Sequence, residues 1–79
     1  MATKAFILIE TAIGKSRDVV NSLHSIGGMQ AVDVVTGPYD IIAVMEANDL
    51  NAIGEVVAGK VHTIGGILRT VTCLSMSGS

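Results

Sequence analysis

The stretch His-Ser-Ile-Gly-Gly at His24–Gly28 returns as His-Thr-Ile-Gly-Gly at His62–Gly66, in a chain of only 79 residues. The offset of 38 positions (24 to 62) is close to half the chain. It leaves room for one structural unit and its near-copy, and constrains the fold before any other feature. The flanking segments agree. Ala5–Glu10 (AFILIE) is a short Ile-rich run that reads as a strand. Val19, Val20, Leu23 and Ile26 then draw one stripe down a helix spanning Lys15 to Ile26. Gly27-Gly28 is expected to stop it, because glycine takes the left-handed conformation at a helix C-terminus. Met29–Thr36 is β-branched and partly alternating, Gly37-Pro38 signals a turn, and Ile41–Ala47 is a further strand, paired with the previous one as a hairpin. Asn48-Asp49 offers a helix cap, and Leu50, Ile53, Val57, Val61 and Ile64 follow at steps of three and four. Gly54 and Gly59 each weaken that helix by about 1 kcal/mol relative to alanine, so packing must hold it. Gly65-Gly66 ends it, Ile67–Met76 forms the last strand, and residues 77–79 read as a loose tail.

Strand, helix, strand, strand, helix, strand is the order of the ferredoxin-like α+β fold. Right-handed crossovers place both helices on one face of a four-stranded antiparallel sheet. Residues 1–79 then make one domain, and the repeat is architectural: once per half, it marks the end of a helix and the turn into a strand. The other face of the sheet is the informative one. Phe6 and Leu8 oppose Ala5, Ile7 and Ile9, while Ile42 and Val44 oppose Ile41, Ala43 and Met45. A sheet with water on one side should alternate apolar with polar, and these strands are apolar on both. Each buried Ile, Leu or Val contributes roughly 1.5–3 kcal/mol. No spare segment remains to cover the face, so a second copy of the chain is the expected cover.

Composition narrows the function classes. Cys73 is the only cysteine, which excludes an internal disulfide and reads as a reduced thiol in the cytoplasm. One Cys and two separated His do not make a zinc site, and the Cys-x-x-Cys pair of metal carriers with this fold is absent. No cofactor is expected. The five basic residues are scattered through a chain of net charge −2, so direct nucleic-acid binding is not expected. No apolar run approaches the ~18 residues of a membrane span, nor does the N-terminus resemble a signal peptide.

Hydrophobic residues reach 49% with so little charge that self-association is expected to support so small a domain. His24 and His62 sit near helix ends without a supporting carboxylate or cysteine, and Cys73 reads as a small buried hydrophobe. Neither Gly14-Lys15-Ser16 nor the Gly-Gly pairs complete a phosphate-loop motif. Val34–Ile42 (VVTGPYDII) is different, combining a glycine turn, the only tyrosine and Asp40 at the start of an apolar strand. The plain reading is a hairpin with Tyr39 over the core edge and Asp40 facing water. The functional reading is a pocket rim with a carboxylate for an ammonium group. Thr70 and Thr72 put two hydroxyls on one face of the last strand, suited to polar recognition or simply to strand formation.

Taken together, TGPYDIIAVMEANDLNAIGEVV and IGGILRTVTCL closely resemble the effector-binding (RAM) domain of the Lrp/AsnC regulators, across almost the whole chain. The resemblance implies a non-catalytic domain that dimerises through its sheets and assembles into rings of eight or ten subunits. It further implies small amino acids bound between dimers and a link to transcriptional regulation of amino-acid metabolism. Gly37, Tyr39, Asp40, Thr70 and Thr72 correspond to the family's ligand-contacting positions. Full-length members carry an N-terminal helix-turn-helix domain, whereas here the first strand begins close to Met1. A stand-alone effector domain, partnered with itself and with full-length relatives, is the expectation. Three alternatives remain: a purely structural oligomer, a small dimeric α+β barrel enzyme using His24 or His62, and an ACT-type sensor binding near Thr11–Lys15.

Overall fold

The computed structural model describes residues 2–76; the expected tail at 77–79 lies outside them. Four strands, β1 (Thr3–Thr11), β2 (Met29–Val34), β3 (Ile41–Ala47) and β4 (Ile67–Leu74), alternate with α1 (Ser16–His24) and α2 (Leu50–Val56). They form one antiparallel sheet in the order β2-β3-β1-β4. This is the ferredoxin-like arrangement anticipated from the sequence.

The period-two alternation of β1 and β3 decides which face is covered. Ala5, Ile7 and Ile9, with Ile41, Ala43 and Met45, are fully buried. They share one core with Val19, Leu23 and Ile26 near α1 and with Ile53, Val57 and Val61 near α2. Both helices therefore lie on one side. The side chains between these positions form the opposite face. Register fixes two rows across the sheet there: Cys73, Phe6, Val44 and Ala31, then Val71, Leu8, Ile42 and Asp33. Phe6, Leu8, Ile42 and Val44 are only half-buried, and Val71 and Cys73 are exposed. Cys73 is thus not the buried hydrophobe expected of it, because β4 is an edge strand and none of the described residues forms a layer over this face. Lys4 opposite Glu46, and Glu10 opposite Arg69, rim the rows with charge.

The two copies of the repeat close their helices alike, though not as the glycines suggest. The Ser25 hydroxyl donates to Ser22 O at 2.7 Å, and the Thr63 hydroxyl donates to Lys60 O at 2.8 Å. Tight three-residue turns then carry Ile26 and Ile64 inward, with Ile26 N–H on Leu23 O and Ile64 N–H on Val61 O. Hence α1 ends at His24, before the glycine pair. Gly28 and Gly66 act later, at the strand entries, with φ of +89° and +97°. Gly28 O accepts from Glu46 N–H, and Gly66 O accepts from Ala12 N–H. A side chain has no space there: a Cβ at Gly28 would lie 2.8 Å from Glu46 O, and one at Gly66 would lie 2.9 Å from Lys15 Cβ.

The second helix departs from an ideal stripe. Asp49 caps it as expected, its carboxylate accepting Ala52 N–H at 2.9 Å. After Val56 the chain widens into a π-helical turn over Val57–Val61, whose last bond runs from His62 N–H to Val57 O. Ile53, Val57 and Val61 face the core, while Leu50 is 59% exposed rather than part of it.

Candidate functional site

The β2–β3 connection is tied down by Asp40. Its N–H donates to Ile9 O and its carbonyl accepts Val35 N–H, both at 2.9 Å. Its carboxylate Oδ2 accepts the Thr11 N–H at 2.8 Å. Asp40 therefore turns inward to the end of β1 instead of facing water, because the Thr11 amide would otherwise lack a partner where Thr11 is buried. The Thr11 hydroxyl in turn pairs with Ser16 Oγ at 2.8 Å, joining this corner to the start of α1. Gly37, at φ +140°, makes the turn in a conformation other residues rarely adopt. Tyr39 lies under the Arg69 guanidinium, 5.8 Å from ring centroid to Cζ. Arg69 also approaches Glu10 at 3.9 Å, an exposed pair that contributes little to stability.

Thr70 and Thr72 sit elsewhere. Their register partners are Ile9 and Ile7, so both hydroxyls project on the helix side of β4. Arg69, beside Tyr39, projects on the open side. The five expected ligand positions thus fall into two groups: Gly37, Tyr39 and Asp40 at the hairpin corner, and Thr70 and Thr72 facing α2. His62 joins the second group, its Nε2 lying 3.0 Å from Thr70 Oγ1. In the sequence His62 stands out only as one of a repeated pair; the π turn alone reveals its reach.

Beside these residues a cleft of about 390 Å³ opens between α2 and β4, lined by Leu50, Ile53, Gly54, Val57, Ala58 and Leu74, with His62 and Thr72 as its polar members. A second hollow, of about 380 Å³, lies between the helix ends and includes Ser22, Ser25, Lys60 and Thr63. Among the described residues, no group of three or more His, Cys, Asp or Glu could hold a metal ion. No helix there is long and apolar enough to cross a membrane.

Comparison with known proteins decides the family. Residues 4–78 match the model of the Lrp/AsnC ligand binding domain. The chain belongs to the Lrp/AsnC family. An uncharacterised HTH-type transcriptional regulator of Pyrococcus horikoshii is similar to this Lrp/AsnC domain at 32% identity over 78 residues, covering 95% of the chain and 52% of the relative. The domain therefore spans about half the length of the curated relatives it matches. A Thermus thermophilus protein of known structure superposes with a TM-score of 0.91 at 26% identity, covering 98% of this chain and 96% of that one. A transcriptional regulator of Neisseria meningitidis, solved in complex with L-methionine, shares the fold. Its TM-score is 0.86 at 18% identity, over 96% of this chain and 51% of that one. The Pyrococcus relative is named as a regulator of transcription, and the part of it that this chain resembles spans about half its length.

Proposed function

We propose that the chain is a non-catalytic sensor of a small amino acid, which it binds between assembled copies of itself, and that binding biases the assembly of a transcriptional regulator. The observation that carries this reading is the uncovered apolar sheet face. Phe6, Leu8, Ile42, Val44 and Val71 form one continuous surface, with charged residues only at its rim. A second copy brings the same surface and the same rim, which suits a two-fold pair. The split of the ligand positions fits the same picture. Tyr39 and Asp40 stand at the hairpin corner, while Thr70 and Thr72 project on the helix side. A site that draws one group from each of two protomers would bring both kinds of contact to one small ligand.

In such a site Asp40, already accepting from Thr11 with one oxygen, offers the other to the ligand ammonium. The carboxylate takes hydroxyl and backbone donors, since a buried charge needs partners. Binding that needs two protomers favours the assembled state by its differential affinity for it. The L-methionine complex of the Neisseria regulator supports an amino-acid ligand for a chain of this fold. Co-assembly with full-length relatives, in rings of eight or ten, would carry the effect to DNA.

Calorimetry against the twenty amino acids, paired with sedimentation, tests the proposal. Saturable binding of at least one amino acid is expected, lost in Asp40→Ala and accompanied by a change in assembly. A stable oligomer that binds none of them would leave only a structural role. A lone folded protomer at micromolar concentration would remove the inter-subunit site altogether.

A further inference from the structure

Among the described residues, Thr11 is the only polar one that is buried, and its amide and its hydroxyl hold two different elements. The pairing of β1 with β3 ends at Ile9 opposite Ile41. Beyond it the Thr11 N–H meets the Asp40 carboxylate in place of a strand carbonyl, at 2.8 Å. Against β4, the register of β1 shifts between Glu10 and Thr11. A break of this kind re-aims the groups beside it, and such breaks recur next to active sites. The Thr11 hydroxyl lies 2.8 Å from Ser16 Oγ, in the first turn of α1. A serine or threonine at a helix start ordinarily accepts a free backbone amide. Here the cap position, Lys15, makes no side-chain bond, and Thr11 and Ser16 bond to each other instead. Their bond ties the end of β1 to the helix.

From this we infer that Thr11 and Ser16 are positioning residues for the Asp40 carboxylate. The Asp40 backbone is fixed separately, by Ile9 O and Val35 N–H. Its side chain has one anchor among the described residues, the Thr11 N–H on Oδ2. That amide belongs to a residue only 8% exposed, whose hydroxyl is bonded to α1. The next amide, Ala12 N–H, bonds Gly66 O at the entry to β4. Two adjacent residues thus hold the hairpin corner, α1 and β4 together. A carboxylate anchored at one oxygen presents the other in a single orientation. An incoming ammonium then meets a group already ordered, and binding is spared the cost of freezing it. The inference rests on the proposed contact between Asp40 and a ligand ammonium. It adds two residues that act through Asp40 rather than by touching the ligand.

The test is calorimetry on the whole chain with L-methionine and 4-(methylthio)butanoate, which is methionine without the amine. Should another of the twenty amino acids bind more tightly, it and its amine-free acid replace the pair. Thr11→Val removes the hydroxyl and keeps the branched shape, while Ser16→Ala removes its partner from a half-buried position that the fold does not depend on. Each is expected to weaken the amino acid at least fivefold and to leave the amine-free acid within twofold. Thr11→Ser, which keeps the hydroxyl, should bind the amino acid within twofold of the wild type. Thr11→Val combined with Asp40→Asn should lose no more than Asp40→Asn alone, because Thr11 acts only through that carboxylate. If the amino acid binds but Thr11→Val and Ser16→Ala leave it within twofold, the positioning role fails while amino-acid sensing stands. The same holds if the losses of Thr11→Val and Asp40→Asn simply add. Equal weakening of the amino acid and the amine-free acid also overturns it, since the hydroxyl pair would then support the fold alone. If none of the twenty amino acids binds, both readings fall.

Discussion

Replacing Gly28 by alanine should destabilise the protein far more than replacing its neighbour Gly27. Gly28 has φ +89°, a region that costs an L-residue roughly 1–2 kcal/mol. The added Cβ also lands 2.8 Å from the Glu46 carbonyl oxygen, a backbone atom within β3. Moving that peptide strains the 3.0 Å bond from Glu46 N–H to Gly28 O, and a lost bond of this kind is worth about 1 kcal/mol. The total is about 2–3 kcal/mol by these principles, against an overall stability of roughly 4–12 kcal/mol for a domain this size. At Gly27 φ is not positive and a Cβ meets nothing within 4 Å. Alanine there should be neutral, or stabilising by up to about 1 kcal/mol through the unfolded chain. Urea unfolding followed by circular dichroism checks this, at one fixed protomer concentration because assembly adds to apparent stability. With a slope of about 1 kcal/mol per molar urea, the Gly28→Ala midpoint should fall by about 2–3 M. Equal midpoints for the two variants would refute the assignment of Gly28 to strand entry.

Three further outcomes are expected. Val44→Asp places a carboxylate in the middle of the open sheet face and should convert the assembly to protomers, read as a lower sedimentation coefficient with helical content retained. Cys73 stands in the same face, beside Phe6 in register, so its thiol should react slowly with an aromatic disulfide reagent in the assembled wild type and rapidly in Val44→Asp. Asp49→Ala removes the acceptor of Ala52 N–H and should cost about 1 kcal/mol in urea unfolding without changing assembly.

The fold was legible because periodicity reports burial directly. Val19, Leu23 and Ile26, and Ile53, Val57 and Val61, lie at the spacings that place them in the core. The doubled apolarity of β1 and β3 announced an uncovered face for the same reason. What periodicity missed depends on contacts between distant residues. Leu50 continues the stripe arithmetically but lies beyond the reach of the sheet, where it is exposed. The π turn leaves the apolar spacing nearly unchanged, so nothing in the pattern signals that His62 will meet Thr70. Asp40 looked like a water-facing turn residue because its partner, the Thr11 amide, is 29 positions away. The repeat itself held an unread signal: its second copy keeps the histidine but exchanges Val32 for Thr70, the residue that histidine touches.

The bonds at Gly28 and Gly66 also bear on how the chain reaches its native state. Each of these carbonyls is satisfied by an amide from the opposite half, Glu46 for the first and Ala12 for the second. The central strands β1 and β3 likewise come one from each half. Neither portion finishes its own hydrogen bonding, so structure should arise in a single concerted step, with no stable halfway species. A nick between Pro38 and Tyr39 should yield two fragments, each a coil in isolation, that restore the native sheet when mixed.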